Sequence, residues 1–363
     1  MRRQSKIGIL TWHYYANFGS ALQAYALQYA LQCLGLDVRI INYRNKKFNP
    51  RPMLYECGAA IVERVYRLCG LSSHKYGYSL FMQRYLRQTR LILDEQKLPK
   101  LTKHFDYVIY GSDQIWAPNV FNPVYMGQYT SPSAVQLSYA ASVGLPIIPN
   151  ELKKQYQTLL SAMSHIAVRE EAASELIKKE FGLSSTTVLD PTLLVDASHY
   201  RQIATEVKGI KKPYCLCYLL NANHTYAPFI GQYISAYDQH TMYAISTNAK
   251  DKSWANMLEN ISPDEFIWLV DNAESIITDS YHGTIFSMLF HKPVYLLQRF
   301  ANDDPINQNS RIQQLQKYFD IPVYNSASRL PLSPKYDYEQ FDKTLARLKE
   351  QSLHYLQQAL HTC

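Results

Sequence analysis

The sequence predicts an α/β protein with two successive doubly wound domains, each built on a parallel sheet. Short apolar runs alternate with segments whose apolar residues recur at three- and four-residue spacing, as strands and amphipathic helices do. The first strand, helix and second strand complete a β-α-β unit, which implies a parallel sheet with a right-handed crossover. This alternation restarts after Asp190-Pro191-Thr192, so we expect a domain boundary near 190–200 and a cleft between the domains.

The first array begins with an apolar strand at Lys6 to Thr11 and a polar, glycine-containing turn. Helical spacing then starts at Ala21 and stops at Gly35, and a second strand covers Asp37 to Tyr43. Helices are predicted near 150–163 and 170–181, and the later strands are Phe105 to Tyr110, Gln136 to Ser142, His165 to Arg169 and Thr186 to Leu189.

The second array ends in a helical pattern over about 337–361, which can pack back on the first domain. The predicted domains are therefore 1–195 and 196–335, with the C-terminal helix in 336–363. Residues 45–100 fit the alternation poorly and mix tyrosine with arginine, so we expect an inserted basic helical subregion in the first domain. The predicted strands of the second array are Pro213 to Leu220, Met242 to Ser246, Ser275 to Thr278 and Val294 to Leu297.

The composition excludes several classes of protein. With 363 residues, 47% hydrophobic and 18% charged, the chain is neither disordered, nor collagen, nor a coiled coil. It has no run of roughly 18 apolar residues, and only a short apolar run follows the basic start, so neither a membrane span nor a signal peptide is predicted. The cysteines lie without a CxxC pair, which predicts reduced thiols of a cytosolic protein and no zinc site: Cys33, Cys57, Cys69, Cys215, Cys217 and Cys363.

The positive charge is concentrated near the start of the chain. The net charge is +7, but residues 1–100 carry +11 and the remainder −4. Such asymmetry favours an anionic partner: nucleic acid, a phosphorylated small molecule, or lipid headgroups with a pyrophosphate. The chain lacks a recognisable nucleic-acid module, so we expect no nucleic-acid partner. The structural alternative is a solvated basic face over packed tyrosines, of which the chain has 30.

Two polar turns after predicted strands are candidate binding sites. In the turn Asn17-Phe18-Gly19-Ser20, Gly19 permits close approach and Ser20 is the expected N-cap, so backbone N–H groups can bind an anion or hydroxyl. The turn lacks GxGxxG and GxxxxGK[ST], which excludes a dinucleotide or P-loop site. An ordinary βα turn is the alternative. The second turn is Gly111-Ser112-Asp113-Gln114.

A histidine marks a third strand-to-helix turn. The strand ending at Thr278 places Asp279, Ser280 and His282 at the top of the sheet, and Gly283 permits a tight entry into the next helix. A helix N-terminus lowers the pKa of a histidine, whereas a carboxylate or a bound phosphate raises it, so the protonation state stays open. The structural alternative is a histidine that only satisfies the fold.

Three arginines could bind an anion. Arg169 ends an apolar strand, where its planar guanidinium can bind a carboxylate or phosphate in two places. The alternative is a surface ion pair with Glu170 or Glu171. Arg299 and Arg311 follow the histidine-containing helix and the next predicted strand.

These motifs, in this order, resemble those of the polysaccharide pyruvyl transferase family. They span residues 6 to about 312, most of the chain. The resemblance implies a GT-B-like fold, with two Rossmann-like domains and an interdomain cleft. The matching segments are Lys6 to Thr11, Asn17 to Leu27, Gly111 to Trp116, Ser138 to Ser142, Val168 to Glu170, Asp190 to Thr192 and Asp279 to Thr284.

The resemblance implies transfer of the pyruvyl group of phosphoenolpyruvate to two hydroxyls of one sugar, which leaves a cyclic pyruvate ketal and phosphate. His282 would be the general acid or base, and Asp279 would either orient it or cap the helix. Arg169 would clamp phosphoenolpyruvate. The family often has an arginine at the position of Ser280 or Tyr281, so Arg299 or Arg311 is expected to supply that charge. The other implied substrate-binding residues are Gly283, Ser280, Asn17, Gly19, Ser20, Ser112, Asp113 and Gln114.

The resemblance also implies the partners. The C-terminal domain would bind phosphoenolpyruvate, and the N-terminal domain a sugar acceptor, expected to be a polyprenyl-pyrophosphate-linked glycan. No metal or redox cofactor is required. We expect a cytoplasmic enzyme, with peripheral contact to the inner membrane face through Arg64, Arg67, Arg84 and Arg87. The alternatives are a GT-B glycosyltransferase that uses a nucleotide sugar, and a non-catalytic glycan-binding relative.

Overall fold

The chain forms two α/β units, each with its own parallel sheet. The computed structural model describes residues 4–14, 17–44, 77–220, 226–246, 254–301, 304, 307–325, 328–331 and 334–361. Unit 1 comprises Met1–Val195 and Ala346–Cys363, and unit 2 comprises Asp196–Leu345. Each unit contains a parallel sheet, so the predicted α/β class is confirmed.

Unit 1 is built around the parallel sheet β2-β1-β3-β4 and the smaller parallel sheet β5-β6. Its strands are β1 Lys6–Leu10, β2 Asp37–Ile40, β3 Tyr107–Tyr110, β4 Val135–Ser138, β5 Ala167–Val168 and β6 Thr186–Thr187. Its helices are α1 Phe18–Cys33, α2 Gly77–Tyr85, α3 Leu98–Thr102, α4 Asn150–Ser161 and α5 Glu171–Phe181, with short 3-10 turns at Glu95–Lys97, Pro118–Val120, Pro123–Met126 and Pro191–Leu194.

The strand order of the first sheet reverses between β1 and β3. The chain leaves β1 through α1 to β2 on one side and later returns to β3 on the other side. Such a reversal of strand order is a topological switch point, and ligands of open α/β sheets bind outside the carboxyl ends of the strands there. The residues after Leu10 and Tyr110 therefore occupy the position where unit 1 would bind a ligand.

Unit 2 is built around one six-stranded sheet in the order β12-β11-β10-β7-β8-β9. Its strands are β7 Tyr214–Leu219, β8 Thr241–Ser246, β9 Asn256–Met257, β10 Ser275–Thr278, β11 Val294–Leu297 and β12 Val323–Tyr324. Its helices are α6 Ala197–Ile203, α7 Ala227–Ala236, α8 Pro263–Asn272, α9 Tyr281–Leu289, α10 Ser310–Phe319 and the start of α11 Tyr338–Ala359.

The second sheet has its own switch point between β7 and β10. β7 pairs in parallel with β8 on one side and with β10 on the other. Every residue of β7, β10 and β11 is buried, which is why these strands appear in the sequence as continuous apolar runs. The turn after β10 is thus held on a fully buried parallel core.

The last helix contributes to unit 1. Residues from Ala346 onward belong to that unit. The Ser352 hydroxyl accepts a hydrogen bond from the backbone N–H of Leu189 at 3.0 Å, and the Tyr355 hydroxyl donates to the backbone carbonyl of Ser138 at 2.8 Å. These bonds fasten α11 to the strand region of unit 1.

Some predicted strands are shorter than expected. The strand predicted at Gln136 to Ser142 ends at Ser138, because Ala140 adopts a left-handed φ of 52° that interrupts regular pairing. The strand predicted at His165 to Arg169 contracts to β5. Single bridges from β4 and from Ala141 connect this segment to the main sheet. Turn geometry of this kind leaves no mark in the apolar pattern.

Parts of the predicted basic insertion lie outside the described residues. Residues 45–76, with Arg64 and Arg67, are among these, as are Cys57, Cys69 and Cys363. The rest of the insertion contains α2 and α3. Cys33, Cys215 and Cys217 are free thiols. No helix in the described ranges is long and apolar enough to cross a membrane.

Candidate functional site

The turn from β10 into α9 is fixed by buried hydroxyl groups. The Thr278 hydroxyl donates to the backbone carbonyl of Tyr218 at 2.6 Å and accepts from the backbone N–H of Ser280 at 3.0 Å. Ser280 is the N-cap of α9, and its hydroxyl accepts from the backbone N–H of Gly283 at 3.2 Å. The turn therefore presents the first residues of α9 in one defined position.

Gly283 is required at its position by packing. A Cβ atom there would lie 2.5 Å from the Thr278 hydroxyl and 3.1 Å from the Tyr218 ring. The tight helix entry expected from the sequence is therefore confirmed. Substrate binding by Ser280 and Gly283 stays a prediction.

Asp279 joins the two strands of the unit 2 switch point. One carboxylate oxygen accepts from the backbone N–H of Leu220 at 2.7 Å, just after β7, and the other accepts from the Tyr226 hydroxyl at 3.3 Å. Because Ser280 caps α9, the alternative in which Asp279 caps this helix is wrong. A role for Asp279 in the chemistry stays a prediction.

His282 lies in the first turn of α9, at the carboxyl edge of the sheet, and is 6% exposed. Its ring meets the Tyr281 ring edge to face, with centroids 5.1 Å apart and planes at 89°. The N-terminus of a helix favours negative charge, since its partial positive charge and its first N–H groups face the ligand. An imidazole in this turn can exchange a proton with an anionic substrate.

The two later arginines occupy different places in unit 2. The Arg311 guanidinium lies 5.9 Å from the centroid of the Tyr281 ring, and its Nη2 atom donates to Gln308 Oε1 at 2.7 Å. The Arg299 guanidinium lies 5.0 Å from the Phe300 ring centroid. The contact of Arg311 with Tyr281 thus links this arginine to the tyrosine that touches His282.

The unit 1 switch point is organised by Gln23, which the sequence analysis did not select. Its amide nitrogen donates to the Thr11 hydroxyl at 3.0 Å and to the backbone carbonyls of Trp12 and Ser20 at 2.8 and 2.9 Å. Its oxygen accepts from the backbone N–H of Ser112 at 3.1 Å. The sequence carried little signal for this role, since α1 contains three glutamines and only the structure shows that Gln23 is fully buried.

The predicted N-cap of α1 is wrong. Asn17 is the N-cap, and its side chain accepts from the backbone N–H of Ser20 at 3.1 Å. Gly19 and Ser20 lie inside the first turn and are buried. The Ser20 hydroxyl instead donates to Asp113 Oδ2 at 2.5 Å, because the helix begins earlier than its apolar spacing indicates.

The second polar turn of unit 1 is also occupied by internal contacts. Asp113 has a left-handed φ of 67°, and its other carboxylate oxygen accepts from the backbone N–H of Gln114 at 2.8 Å. The Ser112 hydroxyl donates to the backbone carbonyl of Ala140 at 3.0 Å. The structure thus brings Ser20, Ser112 and Asp113 together beside Gln23, and sugar binding by these residues stays a prediction.

The structure gives Arg169 a buried position that the sequence analysis did not expect. The side chain is 2% exposed, its Nε donates to Glu170 Oε1 at 3.0 Å, and its Nη1 donates to Asp190 Oδ2 at 2.7 Å. Ser142 also donates to Glu170, at 2.7 Å. The expected surface pair is wrong, since the guanidinium is held inside unit 1 by two carboxylates. Binding of phosphoenolpyruvate by Arg169 stays a prediction.

Arg169, Glu170 and Asp190 form a buried triad. It could not be predicted from local sequence, because Asp190 lies in a different segment of the chain from Arg169. The Oδ1 atom of Asp190 accepts from both the backbone N–H and the hydroxyl of Thr192, at 3.0 and 2.7 Å. The Asp-Pro-Thr segment that marks the end of the first array is therefore the partner of Arg169. No group of three side chains suited to hold a metal ion occurs in the described ranges.

The chain is also similar, at low sequence identity, to several solved structures. A UDP-N-acetylglucosamine 2-epimerase from Rickettsia bellii is 10% identical, covers 98% of each chain and has a TM-score of 0.48. A Neisseria meningitidis UDP-GlcNAc 2-epimerase is 8% identical, covers 99% of this chain and 100% of its own, with a TM-score of 0.48. An E. coli heptosyltransferase with ADP is 10% identical, and the match covers 86% of this chain and 97% of the heptosyltransferase, with a TM-score of 0.40.

No curated protein sequence matches the chain. The family model described as polysaccharide pyruvyl transferase matches residues 17–299. The match extends over most of the chain, from the Asn17 cap through the His282 turn, and β1 precedes it. The chain therefore belongs to the polysaccharide pyruvyl transferase family.

Proposed function

We propose that the protein transfers the pyruvyl group of phosphoenolpyruvate to two hydroxyls of one sugar in a lipid-linked polysaccharide precursor. The products are a cyclic pyruvate ketal and inorganic phosphate. One observation carries this proposal: within the matched family region, His282 lies in the first turn of α9, at the carboxyl edge of the unit 2 switch point. A proton donor beside an anion-favouring helix terminus suits an anionic enol substrate.

The reaction needs a proton at the enol carbon. In the proposed first step, protonated His282 donates its proton to the methylene carbon of phosphoenolpyruvate, and a sugar hydroxyl attacks the neighbouring carbon. The imidazole then accepts the proton of that hydroxyl. In the second step phosphate leaves, the second hydroxyl attacks the same carbon, and its proton goes to the departing phosphate. Two C–O bonds form, one C–O bond breaks, and the methylene becomes a methyl group.

The substrate's charge supports the assignment of the donor to unit 2. Phosphoenolpyruvate carries a carboxylate and a phosphate, and both must be held while negative charge shifts onto the leaving phosphate. The helix terminus at Tyr281 and His282 supplies partial positive charge, and the nearby guanidinium of Arg311 supplies a full one. The atom and proton balance of the reaction calls for no metal or redox cofactor.

We assign the sugar acceptor to unit 1. The support is the charge of +11 in residues 1–100, which suits the pyrophosphate of a polyprenyl-linked glycan at the cytoplasmic face of the membrane. In the described part of the insertion, Arg84 stacks on Tyr85 and Arg87 lies 3.5 Å from Asp37. Asn17, Gly19, Ser20, Ser112, Asp113 and Gln114 remain the candidate acceptor-binding residues.

The test measures the fate of the methylene carbon of phosphoenolpyruvate and the release of its phosphate in the same reaction. The protein is incubated with phosphoenolpyruvate labelled with ¹³C at the methylene carbon and a panel of galactose-, mannose- and N-acetylhexosamine-terminated lipid-linked or nitrophenyl acceptors. We expect a ¹³C methyl signal of a sugar ketal, with one phosphate released per ketal. Consumption of a nucleotide sugar with release of a nucleoside diphosphate, and no ketal, would instead favour the glycosyltransferase. Glycan binding without any phosphate release would favour a non-catalytic relative.

A further inference from the structure

Arg311 is a cation at the edge of the unit 2 site that the family match does not reach. The matched region ends at residue 299, whereas Arg311 is the second residue of α10. Its side chain is partly exposed, unlike the buried Arg169. The role of Arg311 must therefore be argued from its own contacts.

This guanidinium contacts an aromatic ring and a side-chain amide. Its central carbon lies 5.9 Å from the Tyr281 ring centroid, within the range of about 6 Å in which an aromatic face attracts a cation. Its Nη2 atom donates to Gln308 Oε1 at 2.7 Å. Tyr281 is itself buried, so its ring is a fixed platform rather than a mobile surface group. The charge of Arg311 is thus held in place.

The same platform touches His282. The Tyr281 and His282 rings meet edge to face at 5.1 Å, and both residues belong to the first turn of α9. Arg311 and His282 are therefore neighbours of one aromatic ring, one supplying positive charge and the other a transferable proton.

We propose that Arg311 binds an anionic group of phosphoenolpyruvate and that Tyr281 is the positioning residue that holds the guanidinium near His282. This inference rests on the proposed function. A guanidinium has five N–H donors in one plane and matches the two oxygens of a carboxylate or phosphate. It can bind such a group while keeping its contacts to Gln308 and Tyr281.

The other two candidate arginines have different surroundings. The aromatic contact of Arg299 is to Phe300, and the ion pairs of Arg169 are to Glu170 and Asp190 inside unit 1. The contact with Tyr281 points to Arg311 as the arginine to test first in the unit 2 site.

The test is a calorimetric titration of the full chain with phosphoenolpyruvate. Arg311→Met is expected to raise the Kd at least tenfold, the loss that follows removal of a hydrogen-bonded charged partner. Lys317→Met, which removes a positive charge from the last turn of the same helix, is the matched control and is expected to stay within threefold of the parent. A rise of less than tenfold for Arg311→Met, or an equal rise for Lys317→Met, would overturn the inference.

The positioning role of Tyr281 has its own readout. Tyr281→Leu removes the aromatic face, whereas Tyr281→Phe keeps it, so the phenylalanine variant is expected to bind phosphoenolpyruvate more tightly than the leucine variant. Equal affinities of the two would overturn this role. Circular dichroism and urea unfolding identify variants that do not fold, and Arg311→Gln replaces Arg311→Met if the latter fails.

The parent protein separates failure of the inference from failure of the proposed function. A parent that does not bind phosphoenolpyruvate contradicts the proposed donor and the inference with it. A parent that binds, with Arg311→Met binding equally well, leaves the proposed function intact and removes only the role of Arg311.

Discussion

At the carboxyl edge of the unit 1 sheet, Gln23 hydrogen-bonds the ends of β1 and β3, whereas at the corresponding edge of unit 2 the Asp279 carboxylate joins the ends of β7 and β10. Both bridges span a topological switch point, and both are buried. The charged residues around them differ. Unit 1 pairs Arg169 with two carboxylates in its interior, while unit 2 places His282 and Arg311 around one tyrosine.

The difference shows that two topological switch points in one chain can carry charged groups with different roles. A buried guanidinium held by two carboxylates is costly to disturb and contributes to the fold. An imidazole in a helix's first turn, with a partly exposed guanidinium nearby, can instead respond to an anionic ligand. We therefore expect substitution of Arg169 to act mainly on stability and substitution of His282 to act mainly on turnover.

The largest expected effect is on turnover. His282→Ala is expected to lower acceptor-dependent phosphate release by about 100- to 10,000-fold, because general acid catalysis contributes rate factors of this size. His291→Ala is the matched control, since His291 lies in the same unit and pairs with the exposed Asp342 at 3.0 Å. Similar rates for the two variants in a phosphate-release assay would remove His282 from the chemistry.

The next effect is on stability. Arg169→Met is expected to lower the free energy of unfolding by about 3–5 kcal/mol, because it leaves two buried carboxylates without their cation. Arg201→Met, which breaks the more exposed pair with Asp271 (2.9 Å), is expected to cost less than about 1 kcal/mol. Urea unfolding measures both.

Asp190→Asn gives a second measure of the triad, and it should also destabilise the protein. If Arg169 served only to bind substrate, its substitution would weaken binding of phosphoenolpyruvate and leave the free energy of unfolding unchanged. If Arg169→Met unfolded at the parent's urea midpoint but no longer bound phosphoenolpyruvate, the contrast between the two units would be lost.

A smaller effect concerns tyrosines in both units. Burial raises the pKa of Tyr156 and Tyr355 in unit 1 and of Tyr336 in unit 2. The unfolded chain loses these phenol protons near pH 10 while the folded chain keeps them, so stability is complete below pH 10 and falls as the pH rises. At pH 11 each such tyrosine would contribute a loss of about 1.4 kcal/mol.

Urea unfolding between pH 8 and pH 11 checks this expectation. Tyr156→Phe provides the control, because it removes one ionisable group and should flatten the pH dependence. Its lost hydrogen bond to the Trp116 carbonyl, at 2.6 Å, lowers stability equally at every pH below 10. If the pH dependence of unfolding were the same in Tyr156→Phe as in the parent, burial of Tyr156 would not contribute to it.

The smallest expected effect compares the two helix caps. Asn17→Ala and Ser280→Ala should each lower stability by about 1 kcal/mol, since each removes one acceptor for an N–H group of the first helical turn. Thermal unfolding of the two single variants measures them side by side. A much larger loss for either would show that the side chain does more than cap its helix.

Much of the fold could be predicted because buried parallel strands are continuous apolar runs. β10 and β11 have the predicted bounds, Ser275–Thr278 and Val294–Leu297. β4 is shorter than predicted because the left-handed φ of Ala140 depends on packing rather than on an obvious residue preference. β5 and β6 are also shorter than predicted.

The candidate sites were less predictable. Both Asn17 and Ser20 are suitable N-cap residues, and only the structure decides between them. The carboxylate that faces Arg169 comes from Asp190, far along the chain, so local sequence indicated a surface pair. Gln23 was overlooked because nothing in the sequence separates it from the two other glutamines of α1 until its partners are known.

The most direct test is hydrogen–deuterium exchange of the full chain with and without phosphoenolpyruvate, followed by mass spectrometry of its peptides. The account predicts slower exchange in peptides that contain the first turns of α9 and α10 in unit 2. Slower exchange confined to the peptides of the unit 1 switch point, around Gln23 and Ser112, would contradict it, as would no change in any peptide at saturating phosphoenolpyruvate.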